Sequence, residues 1–269
     1  MNTMLDFASR QLIETGQMVH ARSLCPLIMA GDPTLDVTRK ILQSCVDLGV
    51  GMVELCVPFK NAFTDGETLI KAHNRALEHG ATLEPVIDMA SEFTDRIKIV
   101  LLADSSHTLR PYGFEAVCKM ACDAGMAGIL PHGLPPKMTS SFQNAAFGYI
   151  PTVGTIYSNA TPDTRRRVLE QASAFIYLVS AYGRSGGASK AGDLSNQIDA
   201  LRSKTDLPIA IGFGLKTKAD VRRAFQSGCD IAIVGSAISG VVEQAIEEDQ
   251  DPADAAARFI ASLNREATR

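Results

Sequence analysis

Eight short apolar runs, separated by stretches of helical periodicity, recur along the chain and constrain its fold more than any other feature. The strand-like runs are Pro26–Ala30, Met52–Pro58, Ile97–Ala103, Ala127–Pro131, Tyr149–Val153, Ala174–Ser180, Leu207–Gly212 and Asp230–Gly235. Helical patterns lie between them at Thr34–Leu48, Leu69–Glu78, Pro111–Ala124, Thr161–Ala172, Leu194–Ser203 and Thr217–Ser227. Pro162 stands just inside one helix start, and Gly49, Gly80, Gly125 and Gly228 fall just past four ends, where each residue type is favoured. Near-continuous apolar strands separated by helices imply parallel strands covered on both faces. Eight such units in 269 residues predict an α/β fold of the (β/α)8 TIM-barrel class rather than an open doubly wound sheet. The Gly-x-Gly-x-x-Gly turn that usually follows the first strand of the open sheet is missing. With no Pro/Gly/Ser linker, residues 1–269 are expected to form a single barrel domain. Extra helices are expected at Thr3–Glu14, Leu83–Glu92 and Pro252–Asn264.

Composition limits the partners. Hydrophobic residues make up 46% of the chain and charged residues 21%, which supplies a sizeable core and argues against disorder. A net charge of −4 without a long basic run makes nucleic acid and anionic membranes poor partners. No apolar run approaches the roughly 20 residues of a membrane span. Asp6, Arg10 and Glu14 interrupt the N-terminal apolar residues, so this segment is expected to be an amphipathic helix rather than a secretion signal. The six cysteines are scattered through mostly apolar segments, and the five histidines show no ligand spacing. Buried free thiols in a reducing cytoplasm, with no structural metal, are the expectation.

Chemistry enters at the second apolar run. Between Met52 and Val57 the only charged group is Glu54, and Asp65 lies on the loop just beyond. Alternation along a strand puts Met52, Glu54 and Cys56 on one face and Val53, Leu55 and Val57 on the other. A buried, unpaired carboxylate costs several kcal/mol, roughly, and its pKa rises toward the range useful for acid–base chemistry. Alternatively, Glu54 reaches solvent at a strand edge. In a barrel, catalytic groups sit at the C-terminal ends of strands and in the loops that follow. Asp65 meets that rule.

Three glycine-bearing turns cluster late in the chain: Gly183-Arg-Ser-Gly-Gly187, Gly212-Phe-Gly-Leu-Lys216 and Val234-Gly-Ser-Ala-Ile238. They follow the sixth, seventh and eighth strands, and the loops after the last two form the usual phosphate cradle of this fold. Glycine allows close backbone approach, and free N–H groups at a helix start favour an anion. Ser236 is placed to act both as helix cap and as phosphate ligand. Each turn taken singly is equally compatible with a plain loop.

Pro26-Leu-Ile-Met-Ala-Gly-Asp-Pro33, Val53-Glu-Leu-Cys-Val-Pro-Phe59, Asp65-Gly66, Gly212-Phe-Gly214 and Gly235-Ser-Ala-Ile238 together resemble the tryptophan synthase α-subunit family. The register holds across nearly the whole chain. The resemblance implies a barrel lyase that cleaves indole-3-glycerol phosphate to indole and glyceraldehyde 3-phosphate without a cofactor. It matches Glu54 and Asp65 to the catalytic acids, and Gly186, Gly214, Gly235 and Ser236 to phosphate ligands. Tyr177 matches a pocket tyrosine, and Ser185 stands where the family has its catalytic-loop Thr. Glu54 is suited first to protonate the indole C3 and then to accept the side-chain hydroxyl proton, while Asp65 accepts the ring N–H.

The chain also departs from the family pattern. Lys60-Asn-Ala-Phe-Thr-Asp-Gly-Glu67 replaces Ser-Asp-Pro-Leu-Ala-Asp-Gly-Pro in the loop that closes the site and contacts a β subunit. Leu102-Ala-Asp104 replaces Tyr-Ala-Asn, His132-Gly-Leu-Pro135 replaces Ala-Asp-Val-Pro, and Ala181 replaces Arg. Leu102 and His132 therefore flank the expected ring pocket, which points to a changed ring end or partner with the phosphate handle kept. His132 either faces the pocket or is a surface loop residue. Asp104 to His107 form either a turn or a polar contact for substrate, and Arg184 either touches phosphate or is solvated. Two other functions remain open: a non-catalytic activator of a pyridoxal-phosphate-dependent β-like subunit, and a different phosphosugar aldolase or isomerase.

Overall fold

The computed structural model describes residues 22–179, 191–212 and 214–267. Its strands are β1 (Ser23–Met29), β2 (Met52–Cys56), β3 (Lys98–Asp104), β4 (Gly128–His132), β5 (Gly154–Tyr157), β6 (Ile176–Val179), β7 (Ile209–Ile211) and β8 (Ile231–Val234). They form one eight-stranded sheet in the order β4-β3-β2-β1-β8-β7-β6-β5, and every paired ladder is parallel. A bridge between Ile129 and Thr152 brings the two ends together. There the Ile129 N–H donates to the Pro151 carbonyl and the Val153 N–H to the Ile129 carbonyl, both at 2.9 Å. The barrel class expected from the strand–helix alternation is therefore present. The expected N-terminal helix at Thr3–Glu14 lies outside the described residues.

The helices of eight residues or more are α1 (Leu35–Asp47), α2 (Glu67–Glu78), α3 (Leu83–Ser91), α4 (Phe114–Asp123), α5 (Thr139–Ala146), α6 (Pro162–Gln171), α7 (Ala191–Arg202), α8 (Lys218–Gln226), α9 (Ser236–Glu247) and α10 (Pro252–Ala267). Gly49, Gly80, Gly125 and Gly228 all have positive φ, the left-handed conformation that ends a helix at no steric cost to glycine. Pro162 occupies the first turn of α6. None of the described helices is long and apolar enough to cross a membrane.

Two expectations shift. The fifth strand is Gly154–Tyr157 rather than Tyr149–Val153. Pro151 has no N–H to give a ladder, so regular pairing with β6 begins at Gly154, which faces Ile176. A side chain there would collide with α6: an added Cβ would lie 2.7 Å from Ala172 and 2.8 Å from Val168. The helix expected over Pro111–Ala124 is broken at Gly113, where φ is +88°. It is preceded by a π-helical turn, Ser105–Leu109, which Asp104 caps through the Ser106 and His107 N–H groups.

Register sets what can face the barrel lumen. Leu27, Glu54, Val100 and Gly128 form one cross-strand row, and Met29, Cys56, Leu102 and Leu130 form the next. Side chains in one row of a parallel sheet point to the same side. The opposite faces of β2 and β3 present Val53, Leu55, Ile99 and Leu101, all fully buried. Burial on both faces is why these strands read as unbroken apolar runs.

Candidate active site

Glu54 is 0% exposed, and neither carboxylate oxygen has a hydrogen-bond partner among the described residues. Desolvation raises its pKa from the ordinary 4.5 to about 8, because burial penalises the charged form. The strand-edge alternative is thus closed. Glu54 also helps raise the Tyr177 phenol, after burial itself. Tyr177 lies on β6, four strands round the wall from β2 in either direction. Groups on opposite walls influence each other only across the lumen, so Glu54 points inward. Burial, followed by the Glu54 charge, likewise pushes up the Cys25 thiol.

Asp65 lies on the loop between β2 and α2, with its side chain 20% exposed. Burial raises the Cys56 thiol, and the nearby carboxyls of Asp65, Glu54 and Asp104 add to that rise in this order. The structure thus gathers both expected acids around one inward-facing position, one row above Glu54. Asp65 is tied to His73, whose Nε2 is 3.2 Å from its Oδ2. His73 is buried on α2. Sequence reasoning passed over it, although the apolar stripe Leu69, Ala72, His73, Ala76 on a helix next to an acidic loop was visible.

At the mouth of β3 and β4, Asp104 and His132 are cross-strand neighbours. Asp104 accepts hydrogen bonds from two backbone N–H groups at 2.9 and 2.8 Å and pairs with His107 Nδ1 at 2.7 Å. The cluster at Asp104–His107 is therefore a capped turn whose histidine ring reaches the site mouth. The Phe59 ring lies 4.3 Å from that of His73 and 5.7 Å from each of His107 and His132. His132 is half-buried, not a solvated loop residue, and Leu102 is buried beside Cys56. Among the described residues, no group of three or more His, Cys, Asp or Glu side chains is placed to hold a metal ion.

On the other side of the barrel, Gly214 has φ +77° after β7. The loop it belongs to is fixed by a capping box at the start of α8. Asp220 Oδ2 accepts from the Lys216 and Thr217 N–H groups at 3.1 and 2.8 Å, and Thr217 Oγ1 accepts from the Asp220 N–H at 3.2 Å. After β8, Gly235 is the N-cap of α9 and Ser236 its first helical residue, with no side-chain cap. Ser236 is thus not the cap expected from the sequence. The uncapped first turn leaves N–H groups for an anion. Gly235 faces Leu27, with only 3.3 Å between an added Cβ and the leucine side chain. The Tyr177 hydroxyl would lie 2.7 Å from a Cβ on Gly212, so it reaches the β7 end of the site. Ser185, Gly186, Ala181 and Arg184 lie outside the described residues.

The family model described as "Tryptophan synthase alpha chain" matches residues 15–268. The tryptophan synthase alpha chain of Hydrogenovibrio crunogenus is 34% identical over 232 residues, covering 84% of this chain and 85% of that protein. The corresponding chain of Methanosarcina acetivorans is 31% identical over 225 residues, covering 82% and 81%. Among solved structures, tryptophan synthase subunit alpha of Legionella pneumophila superposes with a TM-score of 0.85 at 22% identity, covering 97% of this chain and 98% of that one. At that identity the superposition speaks for the fold.

Proposed function

The chain belongs to the tryptophan synthase alpha chain family, and from that premise we propose that Glu54 and Asp65 carry the family's reaction on it. That reaction is the carbon–carbon lyase cleavage of indole-3-glycerol phosphate to indole and glyceraldehyde 3-phosphate. The observation carrying the assignment is the desolvated Glu54, with a pKa of about 8 and no competing hydrogen bond. Near neutral pH it is mostly protonated and ready to deliver a proton to the indole C3, which turns the ring into a leaving group. The resulting carboxylate then accepts the proton of the side-chain hydroxyl as the carbon–carbon bond breaks. One group is acid and base in turn, and the proton count closes. Asp65 accepts the ring N–H and stabilises the cation that exists only after C3 is protonated, which lowers the barrier rather than the ground state.

Gly214, Gly235 and Ser236, with Gly186 by family resemblance, hold the phosphate, and Ser185 stands where the family has its catalytic-loop Thr. The phosphate anchors the substrate away from the breaking bond and fixes its register. Leu102 and His132 bound the ring end, and Tyr177 lines the pocket from the opposite wall. His132 and the Asp104–His107 pair make that end more polar, which suits indole-3-glycerol phosphate or a close aryl analogue. No cofactor is needed for these steps. Members of the family pair with a β subunit. For this chain, a β-like partner would cover Phe63, which is 84% exposed beside Lys60 on the loop after β2. That changed loop favours activity without tight coupling. We read the protein as cytoplasmic, in keeping with six free thiols, and as one barrel domain.

Incubation of the protein alone with indole-3-glycerol phosphate should release indole, Glu54→Gln should abolish the release, and Asp65→Asn should cut it to a small but measurable residual rate. Absence of indole from the unaltered protein, with stimulation only of an added β subunit, would instead make it an activating partner.

A further inference from the structure

We infer that His73 is a positioning residue that fixes the Asp65 carboxylate for the reaction, an inference that rests on the reading of Asp65 as acceptor of the ring N–H. Both ring nitrogens of His73 are engaged, and the two contacts together decide where its proton sits. The Phe59 backbone N–H donates to Nδ1 at 3.1 Å in a buried setting. A backbone N–H only donates, so Nδ1 must present a lone pair, and the proton of the neutral ring is on Nε2. Nε2 lies 3.2 Å from Asp65 Oδ2, so the ring donates to the carboxylate. The opposite tautomer would face two donors across the first contact and two acceptors across the second.

The ring is also held against rotation. Only 1% of His73 is exposed, and the Phe59 ring packs on it at 4.3 Å. Its helix is anchored by Arg75, which makes two hydrogen bonds, 2.7 and 2.9 Å, to the buried carboxylate of Asp32 beyond β1. One imidazole therefore clamps both ends of the Phe59–Asp65 loop, at the backbone of the first residue and the side chain of the last. With Oδ2 committed to His73, the other oxygen of Asp65 is left in a defined direction for the substrate ring. Small losses of orientation at a group acting in the transition state reduce kcat more than they change KM.

The test uses two conservative variants that separate the two contacts. Asn places a polar atom near Nδ1 and retains an acceptor for the Phe59 N–H, whereas Gln places its amide near Nε2 and retains a donor for Asp65. A positioning role predicts that His73→Asn lowers kcat by about 10- to 100-fold with KM changed by less than about threefold, and that His73→Gln restores most of the loss. Adding His73→Asn to Asp65→Asn should cost no further activity, because the histidine acts through the carboxylate. Full activity in His73→Asn with loss in His73→Gln would overturn the inference and leave the ring as a plain partner for the loop backbone. An equal further loss in the Asp65→Asn background would also overturn it.

A nitrogen-15 spectrum of the imidazoles gives a readout independent of turnover. His73 should show a bare Nδ1 and a protonated Nε2, with the Nε2–H signal moving in Asp65→Asn. A protonated Nδ1 overturns the inference. Lack of indole release by the unaltered protein, with the expected tautomer present, counts against the lyase reading alone.

Discussion

Replacing Glu54 by Gln removes an ionisation that the folded protein resists, and the effect on stability can be worked out as a function of pH. The carboxyl rises from 4.5 to about 8 on folding. Between those values the folded state holds a proton that the unfolded state has released. Stability therefore falls as pH rises through that interval and levels off above it. Linkage with these two values gives a penalty below about 1 kcal/mol at pH 5, roughly 3 kcal/mol at pH 7 and roughly 5 kcal/mol at pH 9 and above. Gln cannot ionise, and any cost of its buried amide is independent of pH. The difference in unfolding free energy, variant minus unaltered protein, should therefore grow by about 4 kcal/mol from pH 5 to pH 9. Urea unfolding of both proteins at pH 5, 7 and 9 measures it, because every other titrating group cancels in the difference. A difference that stays flat across that range would refute the claim that Glu54 is desolvated and unpaired in the lumen.

Further outcomes follow from the same geometry. The value of kcat/KM should fall above about pH 8, since the protonated form of Glu54 starts the reaction and its pKa is about 8; a pH–rate profile of indole release checks this. Arg75→Met strands the buried carboxylate of Asp32 and should destabilise the protein by about 3–5 kcal/mol, read from urea unfolding at neutral pH. Gly235→Ala puts a Cβ 3.3 Å from Leu27 at the start of α9. It should weaken inhibition by glyceraldehyde 3-phosphate about tenfold or more while changing kcat less, and unchanged inhibition would remove Gly235 from the phosphate site.

Much of the fold was legible because parallel strands buried on both faces leave an unmistakable trace, an apolar run with a helix after it. The glycines past four helix ends were equally legible, since a left-handed residue at that place has few alternatives. Reading failed where local sequence was ambiguous. Tyr149–Val153 is apolar enough to be a strand, yet Pro151 and the packing of α6 on Gly154 move the regular pairing to Gly154–Tyr157. Pro111–Ala124 looks continuous, yet Gly113 takes a positive φ and divides it.

The sequence by itself marked Glu54 and Asp65, because a lone acid in an apolar run and a second on the next loop carry a cost that a chain of this kind has to answer for. What it left undecided was which face of β2 turns inward, and that is set by closure of the sheet, which puts Tyr177 opposite Glu54. The link from Phe59 through His73 to Asp65 belongs wholly to tertiary structure. Its three members meet because α2 packs back against the loop that carries Phe59 and Asp65, and residue types alone do not fix that packing.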